Sequence, residues 1–326
     1  MLDKTSQLLI RQQLFTSDDV LLVNAQDAYA EQTGAASHYL HWGHYQQFGD
    51  LRAKFGAEVQ QRATQVVLYV PKEKSLALML LDNLAAVMQP TDTLYLVGDN
   101  KGGIRSLAKK LPANWGNCIK IASGNHCLLY STQLLEPAPF NLSSYLTPYL
   151  IDTADKTLKV FNLPGVFSHQ HLDPGTDLLL QHLPLSISGK VLDFACGSGV
   201  IASWLGKYSS AESIHLSDVS ALALQASQHT LNANQVQASC IASDGLNQVA
   251  GNYDWIISNP PFHTGKNTDY EIARRFFAAA PSQLNKNGRL LIVANSFLPY
   301  PELLGQYFKT VVEKANNGRF RILEAH

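Results

Sequence analysis

Val191-Leu192-Asp193-Phe194-Ala195-Cys196-Gly197-Ser198-Gly199 decides how the second half of this 326-residue chain folds. It opens as a short apolar strand, Lys190 to Ala195, that carries an acid near its end. A glycine-bearing loop follows, from which a helix over Gly199 to Lys207 starts. Gly197 and Gly199 lack a Cβ, so the backbone there can approach a ligand closely, and Asp193 adds an acceptor suited to an ammonium or hydroxyl group. The spacing differs from the G-x-G-x-x-G nucleotide fingerprint, and alone it describes a tight strand-to-helix turn as well as a ligand loop.

Downstream the same alternation continues. Strands are predicted over Ser213 to Ser217, Gln237 to Ile241, Asp254 to Ser258 and Arg289 to Ala294, with helices over Ala221 to Ala233 and Asp269 to Leu284. Parallel strands need crossovers, so this rhythm predicts a mostly parallel sheet with helices on both faces. The end of the chain differs: Phe308 to Lys314 and Arg319 to Ala325 flank Asn316-Asn317-Gly318, which predicts a terminal β-hairpin.

Upstream, a helix over Leu76 to Met88 leads into the strand Thr93 to Gly98 and a loop with Gly102 and Gly103. Thr176 to Leu183 leads in the same way into Val191-Leu192-Asp193 and the loop of Gly197 and Gly199. This similarity predicts an internal duplication whose first copy, with Val97-Gly98 set against Asp193, keeps the fold and lacks the ligand site. A boundary is expected within Leu150 to Val160, giving a first domain of residues 1–154 and a second of 155–326.

Composition limits the function classes. Charged residues make up 16% of the chain and hydrophobic ones 46%. No apolar run reaches the ~18 residues of a membrane span and no signal-peptide pattern opens the sequence, so a cytoplasmic protein without membrane association is expected. Cys118, Cys127, Cys196 and Cys240 form no CxxC pair, which predicts reduced thiols without zinc. His38, His41 and His44 recur every three residues among Tyr39, Trp42 and Tyr45. No acid or cysteine completes a ligand set, so they read as a packed or interfacial helix face, and no metal is expected there or at His169 and His171. A net charge of −1 argues against nonspecific coating of nucleic acid. Residues 263–326 nevertheless hold nine Lys or Arg against five acids, which suits either phosphate attraction or an ordinary solvated surface.

Three acids fall at ends of successive predicted strands: Asp193, Asp218 and Asp244. Singly, the latter two read equally as helix N-caps; together they lie at the carboxyl edge, where open α/β sheets bind ligands, with Asp218 placed for ribose hydroxyls. At the same edge stands Asn259-Pro260-Pro261-Phe262. A planar exocyclic amine is a poor nucleophile because its lone pair is delocalised, and this tetrapeptide suits such a group. Asn259 offers a side-chain carbonyl, the prolines hold a rigid turn with a backbone carbonyl at Pro260, and Phe262 offers a ring for stacking.

This set resembles the class I S-adenosylmethionine-dependent methyltransferases that modify amino nitrogens. Leu163-Pro164-Gly165-Val166-Phe167-Ser168, Leu172-Asp173, Ser258 to His263, and Val293 to Pro301 are similar to the small-subunit (16S) ribosomal RNA guanine-N2 methyltransferase C family. The similarity is strong from about Leu163 onward and weaker before it, where Asn100 to Arg105 resembles the family's loop; Phe194-Ala195-Cys196 departs from the family's usual Val-Gly-Cys. The resemblance implies two tandem Rossmann-like methyltransferase domains, the first degenerate and serving support and RNA presentation, the second a seven-stranded sheet ending in the hairpin. It implies S-adenosylmethionine as cofactor, held by Phe167, Ser168, Asp193, Ala195, Gly197, Gly199, Asp218, Val219, Asp244, Gly245 and Asn259. Asp193 and the glycines would hold the methionine part, Asp218 the ribose and Asp244 the adenine. Asn259 and Pro260 would accept from the guanine amine while Phe262 stacks on the base. The implied partner is 16S ribosomal RNA within the 30S subunit, met by a monomer. The same amine chemistry also suits a large-subunit guanine, an adenine or a protein glutamine, and a noncatalytic RNA-binding assembly module is the alternative of another class.

Overall fold

Alternation of apolar residues along the strands of the second half sends neighbouring side chains into two different cores. Leu192, Phe194, Ile256, Leu290 and Ile292 pack on one face with Phe276, Phe277 and Tyr300, whereas Val191, Trp255, Ile257, Leu291 and Val293 pack on the other with Leu179, Ile201, Leu205 and Leu231. A sheet buried on both faces is what a mostly parallel arrangement requires. The structure, a computed structural model, describes residues 2–15, 19–168, 171–184, 186–261 and 267–326.

The chain divides into two units, Met1–Tyr145 and Leu146–His326. The first contains α1 (Lys4–Gln12), β1 (Val20–Val23), α2 (Tyr29–Thr33), β2 (Ala36–Tyr39), α3 (Trp42–Phe48), β3 (Ala53–Phe55), β4 (Gln65–Tyr69), α4 (Lys74–Val87), β5 (Thr93–Asp99), α5 (Ile104–Lys109), β6 (Ile119–Gly124) and β7 (Cys127–Gln133). The second contains β8 (Thr147–Thr153), β9 (Lys156–Asn162), α6 (Pro174–Gln181), β10 (Ser188–Phe194), α7 (Val200–Tyr208), β11 (Ser210–Asp218), α8 (Ala221–Ala233), β12 (Ser239–Ala242), β13 (Tyr253–Ser258), α9 (Asn267–Ala279), β14 (Leu284–Asn295), α10 (Tyr300–Leu304), β15 (Val311–Asn316) and β16 (Phe320–Ala325).

Each unit holds a seven-stranded sheet, in the orders β3-β2-β1-β4-β5-β7-β6 and β12-β11-β10-β13-β14-β16-β15. The orders are the same, and in both sheets the last two strands run antiparallel. The duplication is therefore real, but its register differs from the one expected. The counterpart of β10 is β1, in the middle of the first sheet; β5, the Thr93 strand, corresponds to β14. Counting from the paired strand ends, where Val23 meets His38 and Leu68 and Phe194 meets Ser217 and Ser258, the first unit places Leu22, Tyr39 and Tyr69 where the second has Asp193, Asp218 and Asn259.

Several local expectations shift, and the three histidines expected on one helix face are split, with His38 in β2, His41 at the N-cap of α3 and His44 within α3. The residues around Ala154 and Asp155 join two paired strands, β8 and β9, so the expected 154/155 junction falls inside a hairpin of the second unit. Both turn residues have positive φ, 47° and 58°, as a two-residue type I′ turn requires. The helix expected to run to Leu284 stops at Ala279 and gives way to a 3₁₀ turn over Ala280–Gln283, because Pro281 cannot continue the hydrogen-bond ladder. β14 begins earlier than expected, at Leu284, through its pairing with Tyr253.

Candidate active site

β10 brings Asp193 to the carboxyl edge of the sheet on the face packed by α6, α7 and α8, among Val191, Ile201 and Ala202. Its side chain is fully buried; Oδ2 accepts from the Ala202 N–H at 2.9 Å, while Oδ1 has no partner among the described residues. Burial pushes the carboxyl up to about 8, with the nearby Asp218 charge adding to the rise and the Ala202 bond opposing it. The buried hydroxyls of Ser198 and Ser217 are likewise unpartnered among the described residues. Buried polar atoms are rarely left unpaired, so the free Asp193 Oδ1 has the chemistry of a receptor for a polar or cationic group.

The loop after β10 follows a left-handed path, with φ of 56° at Ala195, 53° at Gly197 and 72° at Gly199. At Gly199 a Cβ would lie 3.0 Å from that of Ser227, so the helix start packs too closely on α8 for a larger residue. Gly197 has nothing within 4 Å of where a Cβ would sit, and the same holds at Gly245; each leaves open space for a ligand rather than filling a packing gap. Cys196 is fully enclosed against Ser227, and burial raises its thiol well above the usual range, which keeps it protonated and unreactive.

Asp218 ends β11 and fastens this loop: Oδ2 accepts from Gly197 N–H and Oδ1 from Ser220 N–H, each at 2.9 Å. Burial raises its pKa, opposed by the N–H groups of Ser220, Gly197 and Val219. Asp244 follows β12, and the adjoining Ser243 N–H bonds the Asp218 carbonyl at 3.0 Å, so both acids lie on neighbouring strand ends. Gly245 is held in its turn by the Ser243 hydroxyl on its carbonyl, 2.8 Å away.

Asn259 follows β13, the strand beside β10, and the Ser258 hydroxyl ties the two by donating to the Phe194 carbonyl at 2.7 Å. The Asn259 Nδ2 donates to Asp173 Oδ2 and to Thr176 Oγ1, both at 2.9 Å. A carboxylate can only accept, so these contacts settle which end of the amide is nitrogen and turn the carbonyl Oδ1 away from Asp173. Pro260 is buried beside it. Phe262 and His263 lie outside the described residues. Phe167 and Ser168 are placed by the buried Asn162 at the end of β9, whose Nδ2 donates to both of their carbonyls at 3.2 and 3.1 Å.

The structure thus gathers Asp193, Ala195, Gly197, Gly199, Asp218, Val219, Asp244, Gly245 and Asn259 at one sheet edge. Sequence reasoning missed Asp173 and Thr176 as parts of the site and Asn162 as its turn anchor. The helix expected from Thr176 starts two residues earlier, at Pro174 behind the Asp173 N-cap, and only the fold reveals that this cap also meets Asn259. Among the described residues no group of three or more His, Cys, Asp or Glu is placed to hold a metal, and no helix is long and apolar enough to cross a membrane.

The first unit shows what the same edge looks like without such chemistry. There the helix before β1 carries Ser6 at the position that Thr176 holds in α6, and its hydroxyl meets the Tyr69 hydroxyl at 2.7 Å. Asp27 accepts from Ser6 and from the Tyr29 N–H, and all four side chains are buried, so the edge is packed shut.

Comparison with known proteins agrees with this geometry. Residues 157–324 match the family described as methyltransferase small domain, and residues 6–149 match the methyltransferase small domain N-terminal family. The ribosomal RNA small subunit methyltransferase C of Shewanella loihica is 41% identical, with 99% of this chain and 98% of that protein covered. The protein of the same name from Pseudoalteromonas translucida is 46% identical over 79% of this chain and 76% of its own. Among solved structures, the T. thermophilus 16S rRNA N2 G1207 methyltransferase in complex with AdoMet and guanosine superposes with a TM-score of 0.86 at 22% identity, covering 99% of this chain and 92% of its own. A two-unit fold shared along its whole length, and relatives this similar across nearly all of it, place the chain in the ribosomal RNA small subunit methyltransferase C family.

Proposed function

We propose that the protein transfers a methyl group from S-adenosylmethionine to the exocyclic N2 of a guanine in 16S ribosomal RNA. The observation that carries this reading is the fixed amide of Asn259, whose nitrogen is held by Asp173 and Thr176 so that its carbonyl is left to accept from an amine, at the same sheet edge as the glycine loop with its open space at Gly197. Family membership supports the choice of base and of RNA.

The residues fit the cofactor by their donor and acceptor chemistry. Asp193 Oδ1 suits an ammonium group, the open backbone at Gly197 and the loop of Ala195 and Gly199 suit the methionine part, Asp218 and Val219 the ribose, and Asp244 and Gly245 the adenine, with Phe167 and Ser168 lining the pocket. S-adenosylmethionine supplies an activated methyl on a sulfonium when bound, so the protein's task is orientation rather than strong base catalysis. Asn259 Oδ1 and the Pro260 carbonyl accept from the guanine amine, which directs its nitrogen lone pair out of conjugation and toward the methyl. The first unit, with its edge packed shut, supports the second and presents RNA; the substrate form we infer is the 30S subunit, met by a single copy of the chain in the cytoplasm.

Tritium transfer from labelled cofactor to naked RNA, 30S and 50S subunits, followed by nucleoside analysis, tests the assignment. N2-methylguanosine in small-subunit RNA is expected. Label in protein, in methyladenosine or in 50S RNA overturns it.

The raised pKa of Asp193 gives a second expected result. Its folded value, about 8, lies above that of an unfolded carboxyl, so the native state binds the extra proton and stability without ligand falls as pH rises from about 4 to about 8. The slope approaches ~1.4 kcal/mol per pH unit at most, and Asp218 contributes in the same direction. A cationic ligand at Asp193 reverses the penalty, so cofactor affinity should climb over the same range. Thermal melts of wild type and Asp193→Asn across pH, with and without cofactor, check this; an identical pH profile for both proteins counts against it.

A further inference from the structure

We propose that Asp173 and Thr176 are positioning residues for methyl transfer, forming a clasp that locks the Asn259 amide with its carbonyl toward the substrate amine; this rests on the reading of Asn259 as the amine acceptor. A primary amide can present either end after a half-turn of its terminal torsion, and only the oxygen end accepts from an amine. Here both N–H groups of Asn259 are engaged, one by Asp173 Oδ2 and one by Thr176 Oγ1, at 2.9 Å each. Thr176 is itself held against the same carboxylate, its backbone N–H donating at 2.8 Å and its hydroxyl at 3.4 Å. The hydroxyl thus gives its proton to Asp173 and accepts from Asn259. A flipped amide would set its oxygen against the carboxylate and leave its nitrogen facing the substrate's own N–H donors.

Part of this clasp belongs to the fold and part does not. In the first unit Ser6 and Tyr69, in the matching helix position and strand register, keep a hydroxyl bond, while Asp3, at the N-cap position without a side-chain cap bond, accepts from the Thr5 hydroxyl and has no amide to hold. The direct bond from Asn259 to the Asp173 carboxylate is the addition found in the second unit, where the open edge is. A carboxylate on the amide nitrogen also polarises the amide and increases negative charge on its oxygen, which strengthens acceptance from an amine that grows positive as it is methylated.

The full-length protein carrying Asp173→Ser or Thr176→Val, alone and combined with Asn259→Ala, tests the clasp under single turnover with saturating cofactor. Serine still caps the helix but is too short to hold Asn259, and valine keeps the shape of threonine without its acceptor. Each single variant should lose about ten- to a hundredfold in rate, with cofactor affinity and melting midpoint near wild type. Asp173→Asn, which keeps a neutral acceptor and the cap, should recover part of the loss. In the Asn259→Ala background neither change should slow the enzyme further, because the group they position is gone. Wild-type rates in both single variants, or an equal further loss in the Asn259→Ala background, would overturn the clasp alone. A wild-type rate in Asn259→Ala by itself overturns the amine-acceptor reading, and the clasp with it.

Discussion

Asn259→Ala is expected to slow methyl transfer to RNA by about a hundredfold or more while leaving cofactor affinity within about twofold of wild type. The amine lone pair is delocalised into the guanine ring, and attack requires it to localise as the nitrogen becomes tetrahedral. An acceptor fixed beforehand stabilises that change without reorganising during the reaction, and removal of one such preorganised polar group from an active site costs about 10² to 10³ in rate. Structural damage should be small. The Asp173 carboxylate keeps its bond from the Thr176 N–H, so α6 remains capped, and the β10–β13 link through Ser258 is untouched. Single-turnover transfer and calorimetric titration of the cofactor, run on the same preparation, separate the two effects. Equal loss of both would mean that Asn259 serves cofactor binding rather than the amine.

The second large effect is expected at the other end of the cofactor site, where Asp218→Ala should weaken S-adenosylmethionine binding by about a hundredfold or more. Asp218 anchors the N–H groups of Gly197 and Ser220 through its two oxygens, and the proposed function gives the same carboxylate the ribose as well. Alanine leaves two backbone donors unsatisfied and frees a loop whose left-handed conformation at Ala195, Gly197 and Gly199 depends on such anchoring. A stability loss of about 1 to 3 kcal/mol in the ligand-free protein should accompany the change. Asp218→Asn keeps one acceptor and should fall between. Calorimetry for affinity and chemical denaturation for stability distinguish ligand contact from loop anchoring. An unchanged dissociation constant in the alanine variant removes Asp218 from the ribose role.

The second unit was legible because its signals are local. The strand, acid and glycines of residues 191–199 are contiguous, and α8 has the bounds Ala221–Ala233 that its own sequence predicts. The acids at 193, 218 and 244 fall at strand ends, which short-range patterns reveal. What escaped notice depends on distance along the chain. Asp173 and Thr176 reach Asn259 across 86 and 83 residues, and no neighbouring residue announces that contact. The register of the duplication was misread for a related reason. Two glycines after Thr93 to Gly98 looked like the ligand loop, whereas the true counterpart, β1, has lost both acid and glycines, and only strand order identifies it. The hairpin at Ala154-Asp155 was hidden because polar turn residues read the same in a linker and in a tight turn.

One chain carrying both versions of the helix-to-strand clasp also separates two kinds of evolutionary constraint. A change at Ser6 or Tyr69 is judged by whether the first unit still folds, so any pair that fills the buried space is acceptable there. At Thr176 and Asn259, on the role proposed for them, a replacement of equal size and equal stability is expected to fail unless it keeps the direction of the amide. Substitution histories of the two positions should therefore diverge: conservation of volume alone in the first unit, and conservation of donor and acceptor identity in the second.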